Sequence, residues 1–211
     1  MKKAFLVISP ENSGNHILEH ILSCMGCFGG RKSVKYQSGY PIRIISEEKM
    51  TKKTLREREV MLKFFSGKLT IEFEDETPLM YMRSLPDRDH HSEDVNPIAI
   101  KKRFKEIGYD MTTLIPVRDQ IATILGNYRE DTIEERIECL QEAWIQLGGM
   151  LKDLKPFYFI NTSVLFKNID LVVKEIEYFT GLKLKDPLNI WDADKSRIEW
   201  FLNKGLIVPE R

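Results

Sequence analysis

Ala4-Phe5-Leu6-Val7-Ile8-Ser9-Pro10-Glu11-Asn12-Ser13-Gly14-Asn15-His16-Ile17-Leu18 is the stretch on which the reading of this chain turns. Ala4 to Ile8 is a short, bounded apolar run, which predicts a buried strand. A polar turn ends in Ser13-Gly14-Asn15, after which Ile17, Leu18, Ile21 and Leu22 recur at helical spacing. Strand, small-residue loop and helix together form an anion cradle. Unpaired N–H groups at a helix start point into the loop, and the helix dipole favours negative charge there. Gly14 lets the backbone approach a ligand closely. Asn12, Ser13, Gly14, Asn15 and His16 are therefore the candidate anion-binding residues.

The rest of the chain alternates strands with helices. Pro41–Ile45, Leu69–Phe73, Leu79–Ser84, Thr113–Val117 and Pro156–Ile160 read as strands, with the acidic turn Glu74–Pro78 joining the second to the third. Pro116 fits such a strand only at its end. A helix over about 54–67 starts at a capping box, Thr54 with Glu57. Others cover Ile98–Ile107, a segment capped by Asp119 that runs to Gly126, and Leu171–Phe179 stopped by Gly181. The clearest carries Ile133, Ile137, Leu140, Trp144, Leu147 and Leu151 as core positions, with Asp131 and Glu134 as its start signal. A last helix is expected at Ala193–Asn203. The pattern predicts an α/β three-layer sandwich with a mostly parallel central sheet.

Composition narrows the function classes. The 211 residues suffice for one domain spanning 1–211, and no repeat, low-complexity tract or linker divides them. Lys plus Arg and Asp plus Glu both number 32, a balance that argues against a nucleic-acid partner. The apolar run after Met1-Lys2-Lys3 is too short for a secretory leader, and no stretch reaches membrane-spanning length. Three cysteines fit a reducing compartment, so a cytoplasmic location is expected.

A Walker A loop would place Gly at Ser9, Lys at Asn15 and Ser or Thr at His16, so ordinary ATP or GTP hydrolysis is disfavoured. The stretch instead resembles the 5′-phosphosulfate loop of sulfotransferases, which use 3′-phosphoadenosine 5′-phosphosulfate (PAPS) and share the P-loop NTPase-like architecture. Their loops read roughly Pro-Lys/Arg-Ser-Gly-Thr-Thr. Matching Ser13-Gly14 puts Asn12 at the basic position, and Asn15 and His16 at the two threonines.

Three later segments follow in the order of that family. Met80-Tyr81-Met82-Arg83-Ser84-Leu85-Pro86 resembles the strand ending in Lys-Thr-His-Leu-Pro, with Ser84 where the family has its general-base His. Asp87, His90 and His91 lie just beyond and are the candidate bases, although His90-His91 also reads as a solvent-exposed loop pair. Leu114-Ile115-Pro116-Val117-Arg118-Asp119-Gln120 resembles the 3′-phosphate motif. Arg118 matches its Arg, Gly126 falls at its Ser, and Thr123 is the nearest hydroxyl on that helix; Arg118 and Asp119 also read as a surface pair at a helix cap. Phe157–Ile160 through Gly181-Leu182 resembles the late strand and helix, with Thr162-Ser163-Val164-Leu165 replacing a Tyr-Glu-Asp-Leu-like segment.

The resemblance implies sulfuryl transfer from PAPS to a hydroxyl or amine of a small-molecule or glycan acceptor, with no metal required. Asn12 would assist at the leaving oxygen. The alternatives are a nucleoside or nucleotide kinase-like phosphotransferase and a nucleotide-binding or scaffold protein without catalysis. His16-Ile17-Leu18-Glu19-His20 also spells an inverted zinc-protease pattern, followed by Cys24 and Cys27. Its blander reading is His16 at the cradle, His20 at the surface and two buried thiols.

Overall fold

The computed structural model describes residues 2–30, 33–34, 42–46, 55–74, 76–86, 96–126, 132–164 and 168–188. In chain order these form β1 (Lys2–Pro10), α1 (Asn15–Cys24), β2 (Ser33–Val34), β3 (Ile42–Ser46), β4 (Leu55–Arg56), α2 (Glu57–Phe65), β5 (Thr70–Phe73), β6 (Leu79–Leu85), α3 (Pro97–Glu106), β7 (Tyr109–Val117), α4 (Gln120–Gly126), α5 (Ile133–Met150), β8 (Phe157–Asn161) and α6 (Ile169–Thr180). The helix expected at Ala193–Asn203 lies outside the described residues.

Strand β1 is buried at every residue from Ala4 to Pro10 because both its edges and both its faces are covered. It pairs in parallel with β6 on one edge and β7 on the other, and β8 extends the sheet beyond β7 in the order β6-β1-β7-β8. Alternation along the strand divides its side chains. Ala4, Leu6 and Ile8 enter one core with Met61 and Phe64 of α2, Ile100 and Phe104 of α3, and Ala143 and Leu147 of α5. Phe5 and Val7 enter a second core with Leu18, Ile21 and Leu22 of α1 and Val172, Val173 and Ile176 of α6. An all-parallel four-stranded sheet thus lies between two helical layers, as the continuous apolar strands require.

The two strands flanking the acidic turn go to different sheets: β5 pairs antiparallel with β3 as a separate two-stranded unit, and β6 joins the central sheet. Position 28 adds a single parallel bridge to Leu79, which brings the chain close to β6. Gly29 permits this: its φ is +130°, and a Cβ there would lie 1.9 Å from the Met80 carbonyl oxygen.

Several boundaries also move. Helix α2 begins at Glu57, where Glu59 accepts the Arg56 N–H at 3.1 Å, while Thr54 lies outside the described residues. Thr132 and Glu135, not Asp131 and Glu134, start α5: Glu135 N–H donates to Thr132 Oγ1 at 3.2 Å and Thr132 N–H to Glu135 Oε2 at 3.0 Å. Ile133 and Ile137 are not core positions: both are exposed, and the buried stripe of α5 runs through Cys139, Ala143 and Leu147. Pro116 fits inside β7 because pairing with β1 ends at Leu114. No helix among the described residues is long and apolar enough to cross a membrane.

Candidate functional site

From β1 the chain goes first to β6 on one side and later to β7 on the other. Such a reversal opens a crevice beyond the carboxyl ends of the strands, where open α/β sheets bind ligands. Three segments meet that end: Glu11–Gly14 after β1, Ser84-Leu85-Pro86 at the end of β6, and Arg118 after β7.

The loop after β1 is closed by its own backbone. Glu11 N–H donates to the Leu85 carbonyl at 3.0 Å and Ser13 N–H to the Pro10 carbonyl at 3.3 Å. Asn12 adopts φ +63°, a left-handed conformation that Asn tolerates better than most residues, and Gly14 follows at φ +96° as the residue preceding α1. No side chain caps α1, and its first turn carries no acidic residue. Ile17 and Leu18 N–H both turn to the Gly14 carbonyl at 3.1 Å, and among the described residues Asn15 N–H donates to no backbone carbonyl. The helix start therefore keeps its positive dipole end open toward the crevice.

Ser13 adds a second signal. Its side chain is buried, and its hydroxyl oxygen has no hydrogen-bond partner among the described residues. A buried hydroxyl without a partner costs stability, so an acceptor bound at the helix start would satisfy it.

The Asn15 side chain belongs to the fold. It is buried, and its amide faces the sheet rather than the crevice. Its Nδ2 donates to Ser84 Oγ at 3.1 Å, and the Ser9 hydroxyl donates to its Oδ1. What Asn15 offers a ligand is its main-chain N–H. His16 is exposed at the side chain, with Nδ1 3.3 Å from Glu19 Oε2. Ser84, at the position expected for a base, is engaged as the acceptor of Asn15.

Arg118 reaches the loop after β1. Its Nη1 donates to the Asn12 carbonyl at 3.4 Å across 106 residues of sequence. Asp119 caps α4 as the sequence implied, with Oδ1 accepting Ala122 N–H at 2.9 Å. Thr123 is buried, and its hydroxyl donates to the Asp119 carbonyl at 2.8 Å. Thr123 also lines a small cleft with Glu11, Leu85, Arg136 and Leu140, so α4 and α5 wall the crevice on the side away from α1. Gly126 closes α4 and is buried. Asp87, His90 and His91 lie outside the described residues.

Two buried residues near the ends of β6 and β8 were not singled out from sequence. Thr162, first residue of a single 3₁₀ turn after β8, donates to the Ser13 carbonyl at 2.7 Å and lies 3.0 Å from the Val117 carbonyl. Its side chain also occupies the space beside Gly14, where a Cβ would fall 2.8 Å from Thr162 Oγ1 and 2.9 Å from its Cβ and Cγ2. The missing side chain at Gly14 thus admits Thr162 on that side. The other is Arg83, a buried arginine that alternation places on the sheet face of Tyr81 and Leu85, opposite Ser84. The signal for Thr162 was a run of small polar residues, Asn161-Thr162-Ser163, ending a strand at the crevice; that for Arg83 was a lone charge in an apolar strand.

The competing metal pattern does not assemble. Among the described residues no three His, Cys, Asp or Glu side chains gather as a metal site. His20 Nε2 is 3.9 Å from Cys24 Sγ, and Cys24 and Cys27 are both buried thiols. Burial pushes the Cys27 thiol up to about 12, with Glu57 reinforcing the shift and Lys185 opposing it. Compared with protein-family models, with curated proteins and with solved structures, the chain matches none.

Proposed function

We propose that this chain is a sulfotransferase-like member of the P-loop NTPase-like class that moves a sulfuryl group from PAPS to a hydroxyl or amine of a small-molecule or glycan acceptor. The observation that carries the reading is the reach of Arg118 from the end of β7 to the loop after β1, beside the uncapped start of α1. An open helix start suits the 5′-phosphate, and a guanidinium with its five donors suits a second phosphate on the same nucleotide. A 3′,5′-bisphosphorylated nucleotide has that pair of anions.

In this scheme the N–H groups of Asn15 and His16 and the Ser13 hydroxyl hold the 5′-phosphate side, and Asn12 and His16 stand at its edge. Arg118 holds the 3′-phosphate, with Thr123 shaping the α4 side. The acceptor oxygen or nitrogen bonds to sulfur as the bond from sulfur to the bridging phosphate oxygen breaks. Negative charge gathers on that oxygen, where the N–H groups stabilise it. The acceptor's proton passes to Asp87, His90 or His91. The cytoplasmic setting belongs with this reading, since Cys24, Cys27 and Cys139 are all free thiols.

A second reading, nucleotide binding without transfer, is favoured by Ser84, whose hydroxyl is engaged by Asn15. Titration with 3′-phosphoadenosine 5′-phosphate and with ATP-Mg tests the nucleotide. Turnover of PAPS with a phenol and an amine acceptor then separates transfer from binding alone. Binding of ATP-Mg alone would favour a kinase-like phosphotransferase.

A further inference from the structure

The turn after β8 engages the site from two sides at once. The Thr162 hydroxyl donates to the Ser13 carbonyl at 2.7 Å and lies 3.0 Å from the carbonyl of Val117, the residue before Arg118. Ser163 Oγ accepts the N–H of Asp119, the residue after Arg118, at 2.7 Å. Ser163 is itself fixed by its N–H, which donates to Asn161 Oδ1 at 3.0 Å. Arg118 is thus bracketed by two contacts from one turn, and the same turn grips the anion loop at Ser13. Thr162 is buried, so its contacts are made out of competition with water, and it packs against Gly14 where α1 begins.

We infer that Thr162 and Ser163 are positioning residues that fix the distance between the open start of α1 and the Arg118 guanidinium, and so select nucleotides carrying two phosphates at that separation. This rests on the reading of the loop and Arg118 as a bisphosphate site. Neither side chain needs to touch the ligand. Thr162 holds the carbonyl side of the peptide joining Ser13 to Gly14, which sets how the N–H groups of α1 aim. The Thr162 hydroxyl shares its one proton between the Ser13 and Val117 carbonyls and Ser163 accepts the N–H of Asp119, which together set where the long Arg118 side chain starts. Two anion sites with a fixed separation bind a ligand carrying both groups more tightly than two loosely tethered ones.

The test compares 3′-phosphoadenosine 5′-phosphate with adenosine 5′-monophosphate, which lacks the 3′-phosphate. Calorimetric titration is run on the full chain, on Thr162→Val, Thr162→Ser and Ser163→Ala, and on Thr162→Val combined with Arg118→Ala. Thr162→Val keeps the shape and loses the donor; it should lower the preference for the bisphosphate about tenfold, a size that a displacement of about 1 Å produces. Thr162→Ser should restore it, and Ser163→Ala should lower it less. In the Arg118→Ala background, Thr162→Val should leave the preference unchanged. Amide hydrogen exchange on the ligand-free protein should quicken at Ser13–Ile17 in Thr162→Val and not in Thr162→Ser. A preference that survives Thr162→Val while wild type binds both nucleotides overturns the inference alone. Wild type that binds neither nucleotide removes the bisphosphate reading and this inference with it.

Discussion

Asn15 and Ser84, 69 residues apart, meet by a hydrogen bond of 3.1 Å from Nδ2 to Oγ that ties the first turn of α1 to the end of β6. With Ser9 on the other end of the amide, the contact forms a short buried polar chain under the crevice. Asn15 thus uses its side chain for the fold, and under the proposed function only its backbone is left for a ligand.

Asn15→Ala should therefore lower stability by about 1–3 kcal/mol, the usual cost of leaving buried polar partners unsatisfied. Urea unfolding with an unchanged slope and a lower midpoint is the expected result. An unchanged midpoint would mean that the Ser9 and Ser84 hydroxyls find other partners.

Gly14→Ala should destabilise the protein with or without ligand. A residue with a Cβ at φ +96° costs about 1–2 kcal/mol, and the added atom would press on Thr162 at 2.8 Å. Thermal unfolding of the ligand-free variant checks this. For the same reason Gly14→Val reports on the Thr162 contact as well as on ligand approach, and Ser13→Ala is the cleaner probe of the site.

Ser13→Ala removes a buried hydroxyl that has no partner among the described residues. In the ligand-free protein it should be neutral or slightly stabilising, because an unsatisfied polar group disappears. It should weaken binding of 3′-phosphoadenosine 5′-phosphate by roughly tenfold, in line with about 1.5 kcal/mol for a hydrogen bond to a charged group. Lost stability combined with unchanged affinity would assign Ser13 to the fold alone.

Cys27 gives a prediction in pH. Its thiol stays protonated in the folded state to about 12, against 9.0 ordinarily, because burial disfavours the thiolate. The folded state thus holds its proton after the unfolded chain has lost it. The contribution to stability is constant below about 9 and falls as pH rises from there toward 12. Cys27→Ala should lessen the alkaline loss relative to wild type, whatever it costs in packing at pH 7. Equal slopes for the two proteins across that window would contradict the assignment.

The central sheet was legible because β1 and β6 are buried along nearly their whole length and read as nearly unbroken apolar runs, which few other environments tolerate. The partner of β5 was not legible, because Leu69–Phe73 alternates and suits either neighbour; the choice of β3 depends on where the long segments between them return. Ile133 and Ile137 kept the helical period but lie off the buried stripe of Cys139, Ala143 and Leu147, which a period alone does not locate. Within the candidate site, the loop after β1 followed from strand-to-helix order, and Arg118 from the resemblance to the 3′-phosphate motif. Thr162 did not, since its part arises from a contact across 149 residues that the short polar run Asn161-Thr162-Ser163 does not specify. Asn15 was placed in the right loop, but the direction of its side chain depends on Ser84, far away in sequence.

The central claim is that Arg118 reads a 3′-phosphate beside a 5′-phosphate held at α1. The most direct measurement is calorimetric titration of wild type and Arg118→Ala with 3′-phosphoadenosine 5′-phosphate and adenosine 5′-phosphosulfate, with ATP-Mg alongside. Loss of a charge-assisted phosphate contact is worth about 1.5–3 kcal/mol, so Arg118→Ala should weaken the bisphosphate roughly ten- to a hundredfold and adenosine 5′-phosphosulfate little. Equal weakening of both would make Arg118 a support of the Asn12 turn, and binding of ATP-Mg to wild type without binding of either adenosine ligand would contradict the account.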